Sequence, residues 1–273
     1  MNTNENQKAA PKGHAMPLVK YLETTPLFTV EELKGRFDKR SSARTIVNVL
    51  HRVKQQGRVR TVARGVYAGA SSSTPLNRYA VPGRLCPDAV VAFHSALEFH
   101  GVANQVFQTV YYFSSRHRKD VAYEGVVYHR VAPPRVLQRS GKFVFSVEQA
   151  ADQVRVTGRE RSFVDCLLFL EYSGGVEELD RCLTMFPSFD VDVALEYLKL
   201  LRRPWLYARL GYLLDRHADR LFFSGKQRDA FLTRRPRGVA YLEEKRPGGR
   251  WVETWNLMVP ESIAQSGKEA VQQ

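Results

Sequence analysis

Between Thr29 and Ala68 the hydrophobic spacing changes from that of a helix to that of a strand at a single residue, Gly57. Few arrangements satisfy that order. Thr29 and Glu32 form a T-x-x-E capping box ahead of Leu33 and Phe37, which opens a short helix. A turn at Asp38-Lys39-Arg40 leads to Ser41 and Ser42, either of which can cap a second helix running to about Gln56, with Gly57 as its stop. On that helix Ala43, Ile46, Val47, Leu50 and Val53 fall on one side, and Arg44, Thr45, Asn48, His51, Arg52 and Gln55 on the other. After Gly57 the period is two. Arg58-Val59-Arg60-Thr61 forms a strand with its basic residues on one face, Ala63-Arg64-Gly65 turns, and Val66-Tyr67-Ala68 returns. Leu18 to Leu22, opened by Pro17, supplies a first helix as the third wall. Helix, turn, helix and basic hairpin describe a winged helix-turn-helix.

Charge gives this module a partner. The 31 residues from Lys34 to Arg64 hold ten Lys or Arg and one acid, Asp38, a local balance of +9 in a chain of net charge +13. A field so concentrated calls for a polyanion. The polar side of the second helix also carries the groups that read base edges in a major groove: Arg for guanine, Asn or Gln for adenine, Thr for either. We therefore expect Arg44, Thr45, Asn48 and Arg52 at base edges. Arg40, Arg58, Arg60 and Arg64 are expected at phosphates or in the minor groove, and Lys39 and Ser42 at the DNA beside them. The competing account, a solvated basic face on a small helical module, leaves unexplained why both the helix face and the hairpin are basic. Winged helices also mediate protein contacts, so the fold alone does not establish DNA binding.

The remaining composition bounds the class. A length of 273 residues with 44% hydrophobic and 25% charged residues fits a globular chain of about two domains. Cys86, Cys166 and Cys182 are too widely spaced for a CxxC metal site and read as reduced, buried thiols of a cytosolic protein. The polar start lacks the apolar stretch of a signal peptide, and no run approaches the ~20 apolar residues of a membrane span. A cytoplasmic protein is expected. The Ala70 to Pro75 stretch is the clearest linker. The expected division is a disordered tail at 1–14, the winged module at 15–72, an α/β domain at 73–260 and a tail at 261–273.

The second domain alternates strands and helices without the beat of a parallel α/β protein. Strands are expected at Ala89–Ala92, Thr109–Phe113, Val126–Val131 and Phe143–Val147, and helices at His94–His100, from a capping box at Thr157–Glu160, at Val176–Phe186, at Val191–Leu201 and from Pro204. Val239–Leu242 and Trp251–Val259 return to strands. The fold class is therefore α+β: an N-terminal winged helix-turn-helix followed by a mixed-sheet and helix domain.

Catalytic chemistry is sparse there. Glu243 and Lys245 match the E-x-K half of a nuclease site, with helix-borne Asp229 a poor second ligand. Exposed strand charges explain that pattern more economically, and a nuclease targeted by a winged domain is the alternative function. His94 and His100 are six residues apart, which does not place both on one helix face as metal ligands. Arg161 and Asp165, at i, i+4, read as an intrahelical ion pair. No Gly-rich phosphate loop, G-x-S-x-G elbow or Cys-His spacing occurs. No catalytic residue, cofactor or metal is expected, and the chain reads as a binding protein rather than an enzyme.

Taken together, the wing Arg64-Gly65-Val66-Tyr67, then His94-Ser95-Ala96-Leu97-Glu98-Phe99-His100-Gly101, then Thr157 to Asp165 occur in an order that resembles AbiEi-type antitoxins. Gly211 to Asp215 and Trp255 to Pro260 are similar to later segments of that family. The resemblance spans roughly residues 17 to 260. It implies a two-domain transcriptional repressor of a type IV toxin-antitoxin and phage-defence locus, whose winged domain binds inverted repeats in its own promoter. The C-terminal domain would counteract a nucleotidyltransferase-like toxin, functionally or physically. The expected partners are thus double-stranded DNA and that toxin, with the protein a monomer in solution or two copies on DNA.

Overall fold

A computed structural model describes residues 17–37, 41–134, 141–149, 152–243 and 249–269. The chain divides into two compact units, Met1–Leu76 and Asn77–Gln273, and the expected 1–14 tail lies outside the described residues. It is a mixed α and β protein with several sheets.

The first unit runs α1 (Leu18–Thr24), β1 (Phe28–Thr29), α2 (Val30–Phe37), α3 (Ala43–Gln55), β2 (Val59–Ala63) and β3 (Val66–Gly69). Its three strands form a sheet in the order β1-β3-β2. The two-residue β1, too short to leave a periodic signal, pairs Phe28 with Tyr67 and Thr29 with Val66. The capping box at α2 forms as spaced: the Thr29 amide donates to Glu32 Oε2 at 2.7 Å, and the Glu32 amide donates to Thr29 Oγ1 at 3.1 Å. At the far end of α3, Gly57 adopts φ +71, its amide bonds Lys54 O, and the Arg58 amide bonds Val53 O. That pair of bonds is a Schellman stop, and it needs a residue that tolerates the left-handed region.

Leu22, Phe28, Leu33, Phe37, Ile46, Leu50, Val53 and Val59 make the core of this unit. Two expectations change here. Ala43 and Val47 do not face the core: Ala43 is exposed and Val47 is 45% exposed. The buried stripe of α3 is Ile46, Leu50 and Val53, with Val49 partly buried against it, and Val47 lies about 100° round the helix from Ile46. The strand after Gly57 begins at Val59 rather than Arg58, and it does not alternate strictly. A register shift between Thr61 and Ala63 allows both Val59 and Val62 to be buried three positions apart.

The second unit runs α4 (Val81–Leu85), β4 (Val90–Val91), α5 (Phe93–Phe99), β5 (Thr109–Phe113), β6 (Val121–Tyr123), β7 (Val126–Val131), β8 (Val144–Gln149) and β9 (Asp152–Thr157). There follow α6 (Arg159–Leu168), α7 (Val176–Met185), α8 (Val191–Leu201), α9 (Pro204–Arg216), α10 (Ala218–Leu221) and α11 (Gly225–Leu232). The unit closes with β10 (Ala240–Tyr241), β11 (Arg250–Val252), β12 (Leu257–Val259) and α12 (Glu261–Glu269). A six-stranded mixed sheet has the order β6-β7-β5-β4-β9-β8, parallel at β5/β7 and β4/β9 and antiparallel elsewhere. A smaller sheet has the order β10-β12-β11. One apolar cluster joins the large sheet to α5 to α9 and reaches Trp255 and Ile263.

Two further expectations are corrected. Thr157 to Glu160 is not a capping box: Gly158 is the N-cap of α6, the Thr157 hydroxyl lies 2.7 Å from the Ser162 hydroxyl, and Glu160 accepts from the Asp190 amide. The stretch from 261, expected to be a tail, begins as α12, because Ile263 is 2% exposed and packs on the core. Among the described residues no helix is long and apolar enough to cross a membrane.

Candidate nucleic-acid interface

The α3 helix is built to hold one side still and leave the other open. Ser42 caps it, accepting the Thr45 amide at 3.2 Å. The buried stripe then fixes its rotation, so Arg44, Asn48, His51, Arg52 and Gln55 are all exposed. By helical spacing Arg44, Asn48, His51 and Gln55 run along the line opposite the buried stripe, with Val47 on one flank and Thr45 and Arg52 on the other. A helix of this kind, about 10–12 Å across, matches a major groove about 12 Å wide.

The expected site residues fall into three groups. Arg44, Asn48 and Arg52 share the open face, and Arg60 and Arg64 are exposed on the neighbouring hairpin, Arg64 at its turn beside Gly65, whose φ is +81. Ser42, Thr45 and Arg58 make contacts at the cap and end of α3. The Ser42 and Thr45 hydroxyls lie 2.9 Å apart at the helix cap, and Arg58 forms an ion pair with Glu23 and bonds Gln56 Oε1 at 3.3 Å. Lys39 and Arg40 lie outside the described residues. His51 and Gln55 are exposed on the polar face that the helical spacing predicts, and Val47, expected on the apolar side, is exposed beside them.

The second unit uses its polar side chains differently. His94 sits 3.0 Å from Glu98 Oε1 through Nδ1 and 3.0 Å from Glu178 Oε1 through Nε2, stacked on Phe107. Glu178 also accepts from Asn104, the Gln105 amide and Cys182. His94, Glu178 and Cys182 place three potential metal ligands within 4.8 Å of one another. However, burial, with Glu178 adding to it, pushes the Cys182 thiol up to about 12, and Glu178 is already surrounded by donors. The cluster as it stands is a hydrogen-bonded core.

The other candidates also make contacts within the second unit. His100 bonds Thr157 O at 2.7 Å, away from His94's partners. Arg161 and Asp165 form the expected ion pair at 3.2 Å, but fully buried and joined by the Tyr197 hydroxyl, which donates to Asp165 at 2.6 Å. A cavity of about 280 Å³ beside it is lined by Asp88, Ser114, Ser115, Arg155 and Arg161, and the Asp88 carboxylate there is held by both serine hydroxyls and the Ser115 amide. Glu243 of the E-x-K pattern accepts the Val176 amide at the start of α7, and its carbonyl takes Arg209. Lys245 lies outside the described residues.

Neither the family-model comparison nor the search of curated proteins returns a match. Among solved structures, the crystal structure of the RV2827C protein from Mycobacterium tuberculosis is similar in fold. The TM-score is 0.60 at 14% identity, over 94% of this chain and 93% of that one. At that identity the likeness concerns the fold alone.

Proposed function

We propose that residues 17–69 form a winged helix-turn-helix that binds duplex DNA, with α3 in the major groove and the β2–β3 hairpin along the backbone. The observation that carries this reading is the division of α3: Ile46, Leu50 and Val53 are buried while Arg44, Asn48, His51 and Arg52 are exposed together. Such a face meets a double helix without rearranging, so its affinity is not reduced by the cost of ordering loose side-chain carriers. Base contacts fall to Arg44, Asn48 and Arg52, and phosphate contacts to Arg60, Arg64 and their neighbours. Arg58 enters this set only if phosphate outcompetes Glu23.

On the sequence resemblance to AbiEi-type antitoxins, the DNA is the promoter of the chain's own operon, bound at inverted repeats. The protein represses it, and the second unit counteracts a nucleotidyltransferase-like toxin. Footprinting of the purified chain on its own upstream region tests the first part, and protection of paired repeats is expected. With five to eight phosphate contacts, log affinity falls with log salt at a slope of about −5 to −7. A salt-independent or undetectable association rejects the reading. Co-expression with the neighbouring reading frame, where toxicity returns when residues 77–273 are deleted, tests the second part.

A further inference from the structure

Val47 is the odd residue on the open face of α3. Among the described residues of the first unit it is the large hydrophobic side chain that is exposed, at 45%. It stands at i+3 from Arg44 and i−4 from His51, next to Asn48, with the small exposed Ala43 one turn before it and polar or cationic side chains along the rest of the face. A β-branched side chain there lowers helix propensity and leaves apolar area in water. Neither core packing nor capping accounts for it.

In a major groove the apolar feature a side chain can meet is the C5-methyl group of thymine. Resting on the DNA-binding reading above, we propose that Val47 contacts a thymine methyl, so that Val47 and Asn48 together select an A·T step at the centre of each half-site. The spacing allows it. From Arg44 to Asn48 the helix advances about 6 Å, less than two base steps of about 3.4 Å each. Guanine for Arg44 and adenine for Asn48 then lie on adjacent or next-adjacent pairs. Val47, between them in the chain, faces the thymine partner of that adenine or its neighbour.

Deoxyuridine provides the test, since it removes the methyl group and leaves pairing and hydrogen-bonding groups intact. The full-length protein is titrated against its promoter duplex with each thymine of the half-site replaced in turn by deoxyuridine. One replacement per half-site is expected to weaken binding about four-fold, from a methyl-sized burial of ~0.8 kcal/mol. Val47→Ala is expected to bind the natural duplex several-fold more weakly and to be indifferent to that replacement, with an unchanged melting temperature. Arg44→Ala is expected to keep the deoxyuridine penalty. If the wild-type protein binds the promoter yet no replacement matters, or if Val47→Ala still shows the full penalty, the thymine contact is wrong while DNA binding stands. Failure of the wild-type protein to prefer its promoter over random duplex overturns the underlying reading itself.

Discussion

Helices α3 and α6 carry similar polar groups and use them in opposite ways. On α3, Arg44, Asn48, His51 and Arg52 are exposed. On α6, Glu160, Arg161, Ser162 and Asp165 are buried, and each has a partner inside the second unit: the Asp190 amide, Asp165, Gly158 O and the Tyr197 hydroxyl. Burial of charge is costly without partners of good geometry, and each of these side chains has at least one, although Arg161 Nη1 is buried without a hydrogen bond. No comparable demand acts on α3. The charged side chains of α6 are thus tied into the second unit, whereas those of α3 are exposed.

That contrast breaks if mutations on the two helices have similar consequences. Removing Asp165 leaves the Arg161 guanidinium buried without its counter-charge, so Asp165→Ala is expected to cost about 3–5 kcal/mol, read by urea unfolding. A loss under about 1 kcal/mol would mean that the pair is hydrated. Gly211→Ala comes next. A Cβ at that position on α9 would run into the Trp255 indole, and about 1–3 kcal/mol of overpacking strain is expected. Thermal melts of the variant give the check.

Acid should act on the second unit. Burial would raise the Asp180 carboxyl, but hydrogen bonds from His217 and Arg216, with the Arg216 charge, outweigh it and hold Asp180 below the usual carboxylate range. For Glu178, burial is likewise outweighed by bonds from His94, Asn104 and Cys182. A carboxyl with a depressed folded-state value contributes stability above its unfolded value, and the contribution is lost as pH falls through the folded one. Unfolding curves should therefore show stability falling below about pH 4, less steeply in Asp180→Asn; equal slopes in both proteins would remove Asp180 from the account. The smallest stability effects belong to α3. Arg44→Ala and Asn48→Ala should stay within about 0.5 kcal/mol of wild type, and larger losses would show that the face supports the fold.

Much of the first unit was legible because its signals are local. The Thr29/Glu32 box, the Gly57 stop and the change of period are set by residues within a few positions of one another. β1 was not legible, since a two-residue strand exists only through its partner β3. Val47 was misplaced because a run of Ile46, Val47, Val49 and Leu50 offers more apolar residues than one buried stripe can take, and only the packed neighbours decide which is left out. In the second unit, Thr157 and Glu160 have the spacing of a capping box, yet the Thr157 hydroxyl meets the Ser162 hydroxyl and Glu160 takes the distant Asp190 amide. The His94 cluster joins α5 to α7 across 84 positions of chain, which no spacing rule could have assembled.

Competition binding with Arg44→Ala measures the central claim most directly. With the promoter duplex set against random duplex of equal length and at fixed salt, discrimination should fall by about 1–3 kcal/mol, most of it from weaker binding to the promoter. An equal loss on both duplexes would make Arg44 a plain cation near the backbone and contradict base reading by the outward face of α3.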